Sequence, residues 1–168
     1  GGMYSKSLLD DLLVLSPKVN FQIHNYFPPP ENPFVLNLGS LDAEVGERSY
    51  EHVLKALEWC SKIGSDHYSF HAGFLLDPVV NELGKKIVDR KLYDRDKSKE
   101  LFVSRVKKLY EIAKNLALIV RLQKRNAIGY LGGKHIGQIA YEKLKKNYGD
   151  TKASADTKYW YYCDSNCR

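Results

Sequence analysis

The sequence contains little cysteine and no long apolar run. Three cysteines occur in 168 residues, and two of them, Cys163 and Cys167, lie within the last six positions. So few cysteines exclude a disulfide scaffold and predict a reduced, cytoplasmic protein. The longest apolar run, residues 116–120, is far shorter than the ~20 residues of a membrane span, so no membrane partner is expected. No basic stretch followed by an apolar core opens the chain, and a secretory signal is not expected either.

Acidic side chains are scarce in the C-terminal part of the chain, where all of the net charge lies. Residues 1–118 carry 16 basic and 16 acidic side chains, whereas residues 119–168 carry 10 basic and 4 acidic ones. The neutral body argues against a nucleic-acid-binding domain, because such a domain presents a basic surface. The basic tail and its aromatic run at 159–162 leave open a non-enzymatic nucleic-acid-binding fragment that uses charge and stacking. We favour a tail without a fold of its own, and nucleic acid is not the expected partner.

Helical and extended patterns alternate along the rest of the chain, whose 43% hydrophobic content suffices for a core. Apolar residues recur at helical spacing in 5–15, 42–63 and 94–116, and short runs at 21–24, 67–71 and 116–120 predict strands. This order predicts an α/β fold with parallel strands joined by crossover helices. The pattern degrades after Val120, and we divide the chain into a domain at 1–122 and a basic tail of uncertain fold at 123–168.

Two histidines stand at equivalent strand ends. His24 and His71 each close a predicted strand on its polar side, and the last residues of parallel strands share the carboxyl edge, where α/β folds carry their sites. Neighbouring strands lie ~4.8 Å apart, so two imidazoles there can bind one metal ion. Neutral imidazole suits zinc, and also manganese or iron beside carboxylates. The alternative is a core role for each histidine. His52 is predicted to lie on the exposed side of the second helix, without a role in the site.

Three segments around these histidines resemble a known enzyme family. They are HNYFPPP at 24–30, PFVLNLGS at 33–40 and YSFHAGF at 68–74. Together they are similar to the sugar phosphate isomerase/epimerase family, whose members are xylose-isomerase-like TIM barrels related to the apurinic endonucleases. The resemblance covers about residues 1–118.

The resemblance implies a partial (β/α)8 TIM barrel of about three βα units and a metal-dependent sugar or sugar-phosphate isomerase or epimerase. It implies a divalent metal (zinc, manganese or magnesium) with His24 and His71 as ligands, and Asn25 and Asn37 as polar residues that bind the substrate. A small-molecule sugar or sugar phosphate would be the partner. The relationship to apurinic endonucleases leaves open a DNA repair enzyme, against which the neutral body argues.

The sequence departs from the family pattern after the second histidine. The family's next strand normally ends in a metal-binding glutamate, but residues 118–126 hold none, and Arg121 and Lys124 would repel a cation. A complete barrel takes ~250 residues. We therefore expect a truncated, poorly active form that loses its metal if other strands must help to hold it, and that self-associates through unpaired strand edges. The catalytic residues are unknown, with Asp77 and Glu82 as the local acid–base candidates.

Overall fold

The structure is a computed structural model that describes residues 3–71, 73–83, 85, 87, 89–116 and 119–123. Within these residues the fold is α/β. The elements are α1 (Leu8–Leu15), β1 (Ile23–His24), α2 (Ala43–Lys62), β2 (His67–His71), a short 3-10 helix (Val80–Glu82), α3 (Arg95–Asn115) and β3 (Ile119–Gln123). Apart from residue 123, the predicted tail lies outside the described residues, together with its aromatic run, its two cysteines and His135.

The three strands form one parallel sheet in the order β1-β2-β3, as the alternation of helices and strands predicts. His24 pairs with Ser69, and His71 pairs with Gln123 at the end of the ladder between β2 and β3. The predicted strand at 116–120 is wrong by three residues. Leu116 still belongs to the end of α3, because its N–H donates to the carbonyl oxygens of Ile112 (3.2 Å) and Ala113 (3.1 Å). Leu116, whose apolar character predicted a strand, therefore caps the helix instead.

The two long helices begin where an aspartate caps them. Asp42 accepts a hydrogen bond from Val45 N–H at the start of α2 (3.0 Å), and Asp94 accepts one from Lys97 N–H at the start of α3 (2.9 Å). α2 ends before Gly64, whose φ of 68° lies in the left-handed region that glycine adopts without strain. These bounds confirm the two helices predicted from the periodic pattern, whereas α1 and β1 begin later than predicted, at Leu8 and Ile23.

The core lies between the sheet and the helices. On β2, Tyr68 and Phe70 are fully buried and their rings stack at 5.7 Å, while α2 contacts β2 and α3, and α3 contacts β3. Because successive strand residues face opposite sides, Ser69 and His71 lie on the other face of the sheet, where both are partly exposed. One face is thus apolar and covered by helices, and the other is polar. Within the described part of the chain, no helix combines the length and the apolar character needed to cross a membrane.

Candidate functional site

The structure brings the two strand-end histidines together. His24 is the last residue of β1 and His71 the last of β2, and their ring centroids are 4.9 Å apart at an angle of 82°. The strand register explains this distance, because His24 pairs with Ser69 and His71 lies two residues farther along the same face. Both rings therefore stand at the carboxyl edge of neighbouring parallel strands. The side chain of His24 is exposed, so the pair is open to solvent.

Ser69 orients one of the two rings. Its Oγ lies 2.9 Å from Nδ1 of His24. If the hydroxyl accepts the hydrogen bond, the neutral imidazole carries its lone pair on Nε2, which is the state that a metal ligand needs. Metal-bound histidines usually donate their other ring N–H to an oxygen in this way. A metal ion would therefore have to bind His24 through Nε2.

Asn25, the residue that follows His24, connects the ends of β1 and β2. Its backbone adopts a left-handed conformation with φ of 46°, and its N–H donates to the carbonyl oxygen of Ser69 (2.7 Å). Its side-chain Oδ1 accepts from the His71 N–H (3.4 Å), and its carbonyl oxygen accepts from the Tyr68 hydroxyl (2.6 Å) and from Nε2 of His52 (3.3 Å). Asn25 is itself buried, with 6% of its surface exposed.

The prediction that His52 lies on the exposed side of α2 is wrong. Its side chain is buried beneath the loop that follows β1, and its ring packs against Phe34 (5.6 Å) and Tyr26 (6.3 Å). Burial lowers the pKa of His52, and the positive charges of Lys55 and Arg48 lower the pKa further, although the hydrogen bond to the Asn25 carbonyl opposes them. The helical pattern contains the signal that was missed.

That signal is the position of His52 in the apolar stripe of α2. It follows the buried Ser49 by three residues and precedes the buried Ala56 by four, which are the spacings of one helix face. A polar residue at such a position is buried with its helix face. His52 therefore belongs to the support of the site.

Asn37 joins the loop after β1 to the loop after β2. Its Nδ2 donates to the carbonyl oxygens of Phe74 (3.2 Å) and Leu76 (3.1 Å) and to Oδ1 of Asp77 (2.7 Å), and its Oδ1 accepts from the N–H groups of Gly39 (3.1 Å) and Phe74 (2.9 Å). The residue is fully buried. The resemblance assigns this amide to substrate binding, but its oxygen and its nitrogen are both hydrogen-bonded within the described structure.

The loops approach each other so closely at this point that a glycine is required. A Cβ atom built on Gly73 would lie 2.6 Å from Oδ1 of Asn37 and 2.9 Å from the backbone nitrogen of Gly39. Real side chains essentially never approach so closely. Gly73 therefore lets the chain after β2 pass over the Asn37 amide.

The two acid–base candidates also hold the loops together. The carboxylate of Asp77 accepts from Asn37, from the Ser40 hydroxyl (2.7 Å) and from the Tyr93 hydroxyl. Burial and the hydrogen bond to Asp77 raise the pKa of Tyr93, so the phenol stays a donor. Glu82 forms an ion pair with Arg90 at 2.9 Å. The hydrogen bonds of both carboxylates therefore serve loop structure, and neither goes to the histidine pair.

The donor atoms fit a divalent metal ion in part. Among the residues that the structure describes, no three histidine, cysteine, aspartate or glutamate side chains form a group that could hold a metal. His24 and His71 thus offer two nitrogen ligands, whereas a zinc site needs about three or four ligands. The next position along this edge of the sheet is Gln123, which pairs with His71, and Arg121 pairs with Ser69. The glutamate that normally ends this strand in the resembled family is absent, as the sequence already shows.

Comparison with known proteins supports the fold. No family model and no curated protein matches the chain. A D-tagatose 3-epimerase-like protein resembles it with a TM-score of 0.52 at 18% identity, over 70% of this chain and 38% of that chain. The TTHB071 protein from Thermus thermophilus, soaked with ZnCl2, has a TM-score of 0.46 at 18% identity, over 73% of this chain and 45% of that one. The chain thus spans less than half the length of either structure.

The likeness to the D-tagatose 3-epimerase-like protein has a TM-score above 0.5 and shows a shared fold. At 18% identity it concerns the fold alone. The resemblance predicted from the residues around His24 and His71 is thereby confirmed at the level of the fold.

Proposed function

We propose that the chain is a sugar or sugar-phosphate isomerase/epimerase-like protein whose described part carries half of a divalent metal site. The observation that carries the proposal is the His24–His71 pair, with ring centroids 4.9 Å apart at the carboxyl edge of parallel strands. Barrels of this architecture place their active sites at that edge. The likeness to an epimerase-like fold supports the same location.

The ligand chemistry favours zinc over magnesium, and manganese would need carboxylate ligands beside the two histidines. Both donors are imidazole nitrogens, whereas magnesium prefers oxygen ligands and keeps several waters. A divalent ion held here would act as a Lewis acid on the oxygens of a sugar. Ser69 would orient His24 toward that ion, and the exposure of His24 would give a small-molecule sugar access to it. Asn25 and Asn37 would hold the strand ends and loops around the site in place rather than contact the sugar.

We further propose that the chain forms part of a barrel and turns sugar over poorly by itself. The described sheet has three strands, and a barrel of this type closes with about eight. The carboxylates of Asp77 and Glu82 are engaged in the loops, so proton transfer would need groups from elsewhere. The outer edges of β1 and β3 have no strand partner among the described residues, and we propose that they support self-association.

Metal titration of purified chain variants tests the site. Isothermal titration with Zn²⁺, Mn²⁺ and Mg²⁺ should show the tightest binding for zinc, weakened at least about tenfold in His24→Ala and in His71→Ala, because each removes one of two ligands. The matched control is the Cys163→Ser/Cys167→Ser double variant, which removes two thiols that could bind zinc in place of the histidines. Unchanged affinity in both histidine variants would contradict the proposal, as would loss of binding in the cysteine variant alone.

Exchange of substrate protons tests the reaction. In heavy water, an isomerase or epimerase that works by proton transfer incorporates deuterium into its sugar. D-tagatose is the first sugar to try because of the protein named in the structural comparison. We expect zinc-dependent binding of the sugar, seen as line broadening in its proton spectrum, with slow deuterium incorporation. Rapid turnover by the chain alone would overturn the proposed poor activity. The absence of any zinc-dependent broadening across ketoses and their phosphates would overturn the sugar substrate.

A further inference from the structure

The hydrogen-bond ladder between β1 and β2 ends in an unusual way at Asn25. The Asn25 N–H keeps its regular place in the ladder by donating to the Ser69 carbonyl oxygen (2.7 Å). A regular parallel ladder would continue with a bond from the His71 N–H to the Asn25 carbonyl oxygen. Instead, the side-chain Oδ1 of Asn25 accepts that bond at 3.4 Å. The side chain thus takes the place of its own backbone.

The replaced carbonyl group is held in a different direction. With φ at 46°, the chain turns and points the Asn25 carbonyl oxygen toward the Tyr68 hydroxyl (2.6 Å) and Nε2 of His52 (3.3 Å). Both partners are buried, and a carbonyl oxygen can only accept, so both must donate. The hydrogen bonds from Tyr68 and His52 fix the carbonyl group of the turn, while the hydrogen bond from the His71 N–H to Oδ1 fixes its side chain.

Asparagine suits this position better than other residue types. Among residues with a Cβ atom, asparagine is one of the few that adopt the left-handed conformation readily. Glycine adopts the conformation but has no side-chain acceptor for the His71 N–H. Aspartate offers an acceptor of the same size. The position therefore requires both a left-handed backbone and an acceptor two bonds beyond Cβ.

We infer that Asn25 is a positioning residue that sets the separation and orientation of the two imidazoles. His24 is its neighbour in the chain, and His71 is the residue whose backbone it holds. Tyr68 stabilises the turn by its bond to the carbonyl group. The value of this positioning for metal binding rests on the proposed function, but the ring arrangement itself does not depend on a metal.

Proton NMR on the metal-free full chain tests the inference. The wild type should show a nuclear Overhauser effect between the ring protons of His24 and His71, because the ring centroids are 4.9 Å apart. Asn25→Gly, which keeps the turn without its acceptor, should weaken that effect by about threefold or more, and Tyr68→Phe should also weaken it. Asn25→Asp should retain it.

The matched control is Asp89→Gly, because Asp89 is the other described non-glycine residue with positive φ (58°) and is exposed. It should leave the ring contact unchanged. An unchanged effect in Asn25→Gly would overturn the positioning role. If Asn25→Gly failed to fold, an unchanged effect in Tyr68→Phe would overturn the role just as well.

Zinc affinity separates this inference from the proposed function. Asn25→Gly should bind zinc about 10–100-fold more weakly than the wild type, as expected for a supporting residue, whereas Asn25→Asp should restore the affinity. If the wild type bound no zinc but the ring contact changed as predicted, the metal site would fail and the positioning role would stand. If zinc bound equally well to Asn25→Gly with the ring contact intact, the positioning role would be overturned and the metal site would stand.

Discussion

Nδ1 of His24 lies 2.9 Å from the hydroxyl oxygen of Ser69, the residue that pairs with His24 across the parallel ladder. The bond crosses from one strand to its neighbour, so the orientation of the ring depends on the register of the sheet. A shift of one residue would place Tyr68 or Phe70 opposite His24 and remove the hydroxyl. The fold and the candidate site are therefore specified by the same pairing.

Ser69→Ala tests the role of this bond. We expect about 10–100-fold weaker zinc binding, because the ring of His24 loses the partner that fixes its tautomer. The free energy of unfolding should change little, since Ser69 is partly exposed. The control is Ser104→Ala on the exposed side of α3, measured in the same titration. Equal zinc affinity in the two variants would mean that Ser69 does not orient the ligand.

Asn37→Ala tests the junction of the two loops. The substitution leaves the N–H groups of Gly39 and Phe74 without their acceptor and removes one of the three side-chain hydrogen bonds to the Asp77 carboxylate, which keeps those from Ser40 and Tyr93. We expect a loss of roughly 3 kcal/mol in the free energy of unfolding, because each buried polar group left unpaired costs about 1–3 kcal/mol. Urea denaturation measures the loss. Asn81→Ala, at an exposed asparagine of the short 3-10 helix, should change it by less than about 0.5 kcal/mol. A similar loss in the free energy of unfolding for the two variants would show that Asn37 does not hold the two loops together.

His52 makes stability depend on pH. Its pKa in the folded state is lowered from 6.5 by burial, so the unfolded chain binds the proton more readily. The stability associated with neutral His52 is present above pH 6.5 and is lost as the pH falls through and below that value. We expect His52→Gln to reduce the fall in the urea midpoint between about pH 7.5 and about pH 5.5. A fall of the same size in wild type and variant would show that His52 does not titrate on unfolding.

Gln123→Glu tests whether the edge of the sheet is one ligand short. The register pairs position 123 with His71, so a carboxylate there stands on the strand next to the histidine pair. We expect zinc affinity to rise by about tenfold or more, since a third protein ligand completes the usual catalytic zinc set. Asn20→Glu adds the same charge before β1, at the opposite end of that strand, and should have little effect. Equal gains in both variants would indicate a general charge effect.

Much of the fold follows from local sequence signals. The helices α2 and α3 have continuous apolar stripes with aspartate caps at Asp42 and Asp94, and β2 alternates over its five residues. Such signals act within a few residues, so they can be recognised without tertiary structure. The meeting of His24 and His71 follows from the same reasoning, because parallel neighbouring strands align their ends.

The remaining features depend on contacts distant in the sequence. Asn37 and Asp77 are 40 residues apart and meet only because two loops cross, which no local pattern encodes. The boundary between α3 and β3 was predicted wrongly because residues 116–120 are uniformly apolar, and such a run suits the end of a helix as well as a buried strand. The turn at Asn25 likewise requires knowledge of which strand lies beside it.

The central claim is that His24 and His71 together bind one divalent ion. Crystals of the zinc-loaded chain, measured at the zinc absorption edge, locate the ion directly through its anomalous scattering. We predict a single strong peak between the two rings, with Nε2 of His24 and a ring nitrogen of His71 each ~2.0–2.1 Å from it. Zinc bound elsewhere in the chain, with neither imidazole coordinated in zinc-saturated crystals, would contradict the claim.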